Sequence, residues 1–111
     1  MVDFAKLQKS IQDYDSEREK LIIQGRIVLK LSKQLIYSVH RDNLEEAASL
    51  LKNIESEKEK LDLIAQQKKK LEFEGSYKVA IQEYAEAVLY YNFVKTGKLV
   101  ELKVHPVHFV L

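Results

Sequence analysis

VAIQEYAEAVLYYNFV, residues 79–94, decides how this chain is read. The run has no Lys, Arg, Asp, Gly or Pro, and its only strongly polar members are Gln82, Glu83, Glu86 and Asn92. At about 100° per residue, Tyr77, Ile81, Tyr84, Val88 and Tyr91 fall on one side of a helix. Val79, Glu83, Glu86, Ala87, Tyr90 and Val94 fall on another. Apolar groups around most of the circumference are the pattern of a central, buried helix, here spanning about 76–96 with Gly97 suited to its C-terminal cap. Glu83 and Glu86 stand about 60° apart on that wheel, so the pattern predicts that both point inward. Withdrawing an ionised carboxylate from water costs on the order of several kcal/mol unless something pairs with it. A purely structural helix has no need to carry two.

Working outward, the segment before this run is also helical. Phe4, Leu7, Ile11, Tyr14, Arg18, Leu21, Gly25, Val28, Ser32, Leu35 and Val39 alternate three- and four-residue steps, which predicts one long helix over 3–41. Ile22, Leu29 and Ile36 widen the stripe to a bundle-core face. Gly25 and Ser32 are small where a large side chain is expected, so a neighbour can approach closely there. Asp15-Ser16 with Glu19 is a potential capping box and marks a possible irregularity near residue 15. HRDN, residues 40–43, breaks the pattern, with Asp42 or Asn43 as the next N-cap. A second helix over 44–71 follows from Leu44, Ala47, Leu51, Ile54, Lys58, Leu61, Ala65 and Lys68. Its stripe is thinner and interrupted by lysines, so it reads as the more exposed helix. EFEGS, residues 72–76, is the second break. Short connections make sequential helices antiparallel. The expected fold is therefore an all-α, antiparallel bundle of long helices. Pro106 suits the first turn of a further helix that would hold the apolar run to Leu111.

Composition sets the outer bounds. The chain has 111 residues, 46% apolar and 32% charged, with one Pro, three Gly and no Cys. That length supports one domain with a modest core. Absence of Cys excludes disulfides, thiol nucleophiles and thiolate metal sites. A formal charge of +1 gives no global attraction to nucleic acid or membrane, so any such attraction must be local. No run approaches the roughly 20 apolar residues of a membrane span, and the N-terminus lacks a signal-peptide core. The expected setting is cytoplasmic, with no membrane partner.

Glutamates at i and i+3 on one helix face can hold a divalent ion through hard oxygen donors, which suits Mg²⁺ or Mn²⁺. The alternative is two ion pairs to Lys or Arg of neighbouring helices. A di-iron bundle would instead ask for Glu-x-x-His, and no His is in reach on this helix. Arg26, Lys30, Lys33 and Arg41 recur on one side of the first helix, away from its seam. That pattern suits a solvated face first and a track for phosphates second. Arg18, inside the seam, calls for an acid or a ligand. Lys68-Lys69-Lys70 fits a solvated helix end. His105 and His108, beside the lone Pro, read as incidental.

SEREKLIIQGRIVLKLSKQLIYSVHR, residues 16–41, resembles the first helix of the translin and Trax (translin-associated factor X) family. QEYAEAVLYYNFVKTGKL, residues 82–99, is similar to the Trax version of that family's central helix, with a Gln-Glu-Tyr-x-Glu-Ala core, an aromatic pair and a Lys-Thr-x-x-Leu exit. VHPVHFVL, residues 104–111, resembles the opening of the next family helix. The resemblance implies a seven-helix all-α fold that assembles into hollow oligomers and binds single-stranded RNA or DNA. Residues 1–111 would then be a single, incomplete domain of translin type, working as a homo-oligomer or with translin-like partner subunits. It further implies a Mg²⁺-dependent endoribonuclease in which Glu83 and Glu86 are catalytic, metal-binding acids. A third acid, an Asp in a Gly-x-x-Asp context, follows the proline-led stretch in the family, and this sequence ends before that position. Two other readings stand beside it: a non-catalytic nucleic-acid-binding protein of translin type, and a structural helical oligomer with Glu83 and Glu86 paired across an interface.

Overall fold

The computed structural model describes residues 3–97. Its order is α1 (Phe4–His40), α2 (Leu44–Ala65), a short 3₁₀ segment (Lys69–Phe73) and α3 (Gly75–Thr96). No strand occurs among the described residues. The expected proline-led helix, His105 and His108 lie outside them.

Several helix termini have a chemical reason. Asp3 opens α1 by accepting from the Ala5 and Lys6 amides at 3.1 and 3.2 Å. Asp42 takes a left-handed conformation, φ 60°, which Asp tolerates better than most side chains. Asn43, rather than Asp42, is the N-cap of α2: its side chain accepts from the Glu46 amide at 3.2 Å and donates to the Glu46 carboxylate at 2.9 Å. Gly97 ends α3 with φ 74° and donates to the Phe93 carbonyl at 2.7 Å, as a left-handed C-cap does. The Asp15-Ser16 capping box is not used, and α1 runs through it unbroken.

The second helix is shorter than its spacing predicts, ending at Ala65 instead of 71. Continuing the helix would carry Lys68 into the seam. The chain instead turns at Gln66–Lys68 and tightens into the 3₁₀ segment, which buries Leu71 completely. Leu71 joins Leu21, Val28, Leu61, Ala65, Tyr77, Ala80 and Ile81 in one core cluster. A second cluster, at the other end, joins Leu35, Val39, Ala47, Ile54, Ala87 and Tyr91.

α1 is antiparallel to α2 and runs alongside α3 in the same direction. Glu74, at the start of α3, meets Tyr14 and Arg18; towards its far end, Tyr90 meets His40. Gly25 permits the close approach. A Cβ there would stand 3.3 Å from the Ser76 carbonyl oxygen and 3.8 Å from the Ala80 Cβ. Lys58, which interrupts the α2 stripe, is half-buried for a reason. Its ammonium lies 2.8 Å from Asp62 and 5.4 Å over the Tyr84 ring. The first turns of α1 project beyond the other helices, so Phe4 is 79% exposed and the seam starts only at Tyr14. None of the described helices is long and apolar enough to cross a membrane.

Candidate nucleic-acid and metal site

The expectation that α3 is buried nearly all round, with Glu83 and Glu86 pointing inward, is not met. α3 buries Tyr77, Ala80, Ile81, Ala85, Ala87, Val88 and Tyr91. Glu83 is half-buried and Glu86 exposed, and Val79 and Phe93 beside them are 49% and 47% exposed. Two neighbouring helices cover only part of a cylinder. α1 takes one flank of α3, α2 reaches it through Tyr77–Asp62 and Lys58–Tyr84, and the remaining side is open among the described residues. Both carboxylates lie on or at the border of that side.

The pair is electrostatically unsettled. None of the ion pairs among the described residues involves Glu83 or Glu86. The one polar contact is the Gln82 amide, which donates to Glu86 at 3.4 Å, a long hydrogen bond. No described Lys or Arg is therefore seated between the two acids. Two carboxylates one helical turn apart offer hard oxygen donors for Mg²⁺ or Mn²⁺. No third Asp, Glu or His among the described residues joins them in a metal-sized cluster.

The basic residues divide. Arg26, Lys30 and Lys33 are exposed along α1 at helical spacing, four and three residues apart, and so form one row. Arg41 does not join them freely. It pairs with Glu46 at 3.2 Å at the α1–α2 corner. α1 and α3 run side by side, and Arg26 borders the open surface at the start of α3, whereas Lys30 lines a separate groove towards α2 with Asn53 and Glu57. Arg26 and Val79 line one shallow groove there, of about 420 Å³, together with Arg18, Ile22, Leu29 and Ser76. One signal of this surface is legible in the sequence although residue spacing alone passes over it. Between Glu19 and Asp42 the chain has no acid at all, while Lys20, Arg26, Lys30, Lys33 and Arg41 are all basic.

Arg18 has the acid it calls for. Its Nε donates to Glu74 at 3.1 Å, and the Tyr14 hydroxyl donates to the other Glu74 oxygen at 2.6 Å. The Tyr14 bond, followed by that from Arg18, holds the Glu74 carboxyl below its ordinary range, and the same bond pushes the Tyr14 phenol up. Burial, reinforced by the hydrogen bond to Asp62, pushes the Tyr77 phenol strongly up. These groups tie α3 to its neighbours and are separate from the open side.

Comparison with known proteins adds the lineage. The family model described as "Translin family" matches residues 6–106. No curated protein sequence matches the chain. The crystal structure of apo-NeC3PO superposes with a TM-score of 0.85 at 19% sequence identity, over 98% of this chain and 59% of that one. The likeness is one of fold, and the chain spans 59% of the length of that solved chain.

Proposed function

The chain belongs to the Translin family, and from that premise we propose that it is a single-stranded nucleic-acid-binding subunit whose α3 acids serve Mg²⁺- or Mn²⁺-dependent RNA cleavage. The observation that carries this reading is the pairing of Glu83 and Glu86, without a cation from any described residue, on the helix packed against α1 with its acid-free row of Arg26, Lys30 and Lys33. In this reading the row neutralises backbone phosphates. The close α1–α3 contact at Gly25 holds that row at a fixed offset from the acids, so a bound strand is presented to them in one register. Glu83 and Glu86 would hold the metal ion. Bound there, such an ion supplies charge neutralisation at the phosphate and activation of water. The open apolar residues of α3, Val79 and Phe93, support an assembly in which other subunits border the site.

One observation favours a non-catalytic reading, in which the chain binds but does not cut. The two acids lack a third among the described residues. Both readings are tested together by binding and cleavage of a labelled single-stranded oligoribonucleotide. Glu83→Gln with Glu86→Gln should end cleavage and leave binding intact. Arg26→Ala, Lys30→Ala and Lys33→Ala should each weaken binding and lower the salt slope by about one. Undiminished cleavage by the double variant would overturn the catalytic assignment. Binding without cleavage by the unaltered chain would leave the non-catalytic reading, and salt-independent binding would remove the basic row from both.

A further inference from the structure

Six tyrosines occur in the chain, and five have an evident task. Tyr14, Tyr77 and Tyr90 hydrogen-bond to Glu74, Asp62 and His40. Tyr84 lies under the Lys58 ammonium and Tyr91 under that of Lys95. Tyr37 differs from all of them. It is 63% exposed, and no hydrogen bond, ion pair or ring contact joins its side chain to another described residue. Packing does not require it, because Leu35, Ser38 and Val39 fill the buried sides of α1 at this level. An exposed aromatic ring with no polar or ring partner among the described residues carries a large, largely open apolar face.

Its position gives that face a use. Arg26, Lys30, Lys33 and Tyr37 follow one another at steps of four, three and four residues, which keeps them in one row on the helix surface. The row lies within the acid-free stretch from Lys20 to Arg41, so α1 itself sets no acid against a polyanion there; the nearby acid of α2 is Glu57, which shares a groove with Lys30 and is bonded to Gln24 and Lys60. Exposed Ile23 and Ile27 lie within the same stretch of α1. A row of cations ending in a bare aromatic ring suits a single strand. The cations take the phosphates, and the ring takes an unpaired base. A duplex satisfies the cations but keeps its bases stacked and out of reach.

We propose that Tyr37 is a base-stacking residue that makes the basic row of α1 selective for single-stranded over double-stranded nucleic acid. This rests on the proposed nucleic-acid reading and deepens it by assigning the strand selectivity to one side chain. The test measures binding of three fluorescently labelled RNAs, a single strand, the same strand with abasic sites, and a duplex, to the unaltered chain, Tyr37→Ala and Tyr37→Phe. Tyr37→Ala should lose roughly 5- to 150-fold in affinity for the single strand, the range for removal of one stacking ring. Its salt slope should be unchanged, because no phosphate contact is lost. Tyr37→Phe should bind like the unaltered chain. The abasic strand and the duplex should not distinguish the three proteins. Equal single-strand binding by Tyr37→Ala, or an equal loss on the abasic strand, overturns the stacking role and leaves the basic row standing. Failure of the unaltered chain to bind any of the three RNAs removes the nucleic-acid reading and this inference with it.

Discussion

The two sides of α3 handle their polar groups in opposite ways. On the packed side the polar groups are linked in a chain. Tyr77 bonds to Asp62, Asp62 pairs with Lys58, and Lys58 covers the Tyr84 ring. On the open side Glu83 and Glu86 have no cationic partner among the described residues, and Val79 and Phe93 stand exposed. The packed side is what a bundle needs. The open side carries a charge arrangement that the folding of these three helices does not call for.

The largest effect expected from this contrast is on core volume. Ile81 is 2% exposed and belongs to the core cluster at the α2–α3 end. Ile81→Ala should cost about 2–5 kcal/mol. Val79→Ala, only two residues away on the open side, should stay within about 0.5 kcal/mol, as for most surface changes. Denaturant unfolding of the two variants measures both. Equal losses would mean that the open side is covered in the folded protein, and the comparison would break.

A smaller effect is expected from acid. Glu74 ties the start of α3 to α1, and its carboxyl is held low by the bond from Tyr14 and then that from Arg18. A carboxyl whose folded value is lowered contributes its full stability above the ordinary value, near about pH 4.3, and loses it as pH falls through the folded value. Glu57, held low chiefly by the bond from Gln24 and then that from Lys60, adds a contribution of the same sign. The Tm of the unaltered chain should therefore be nearly flat from neutral pH to about 5 and decline below about 4. Glu74→Gln should begin from a lower Tm and decline less steeply. Parallel acid profiles for the two proteins would show that this end of α3 is not anchored through Glu74.

Much of this division could be read from the sequence, and the part that could not has a physical cause. The three-four spacing from Tyr14 to Val39 describes the packed face of α1 correctly, because burial enforces that period. Gly25 announces a close neighbour, and Arg18 announces an acid. The end of α2 is not legible from spacing, because burial of Leu71 competes with helix continuation at Lys68 and only tertiary packing decides between them. The orientation of Glu83 and Glu86 misleads for a related reason. An apolar circumference shows that a helix can be buried all round, while the number of neighbours that cover it is a property of the assembly. Arg41 looks like a member of the basic row by spacing, and the corner geometry gives it to Glu46. Tyr37 is invisible to periodicity, since an exposed aromatic stands out only once the other five have been placed.

The central claim, that the open side of α3 is a divalent-cation site, is tested most directly by thermal unfolding during titration with Mn²⁺ or Mg²⁺. Without metal, Glu83→Gln with Glu86→Gln should unfold within about 0.5 kcal/mol of the unaltered chain, because these side chains make no ion pair with any described residue. With metal at ten times its dissociation constant, the unaltered chain should gain about 1.4 kcal/mol, read as a rise in Tm that saturates with metal concentration. The double variant should show no such rise. An identical rise in both proteins, or none in either, would contradict the claim.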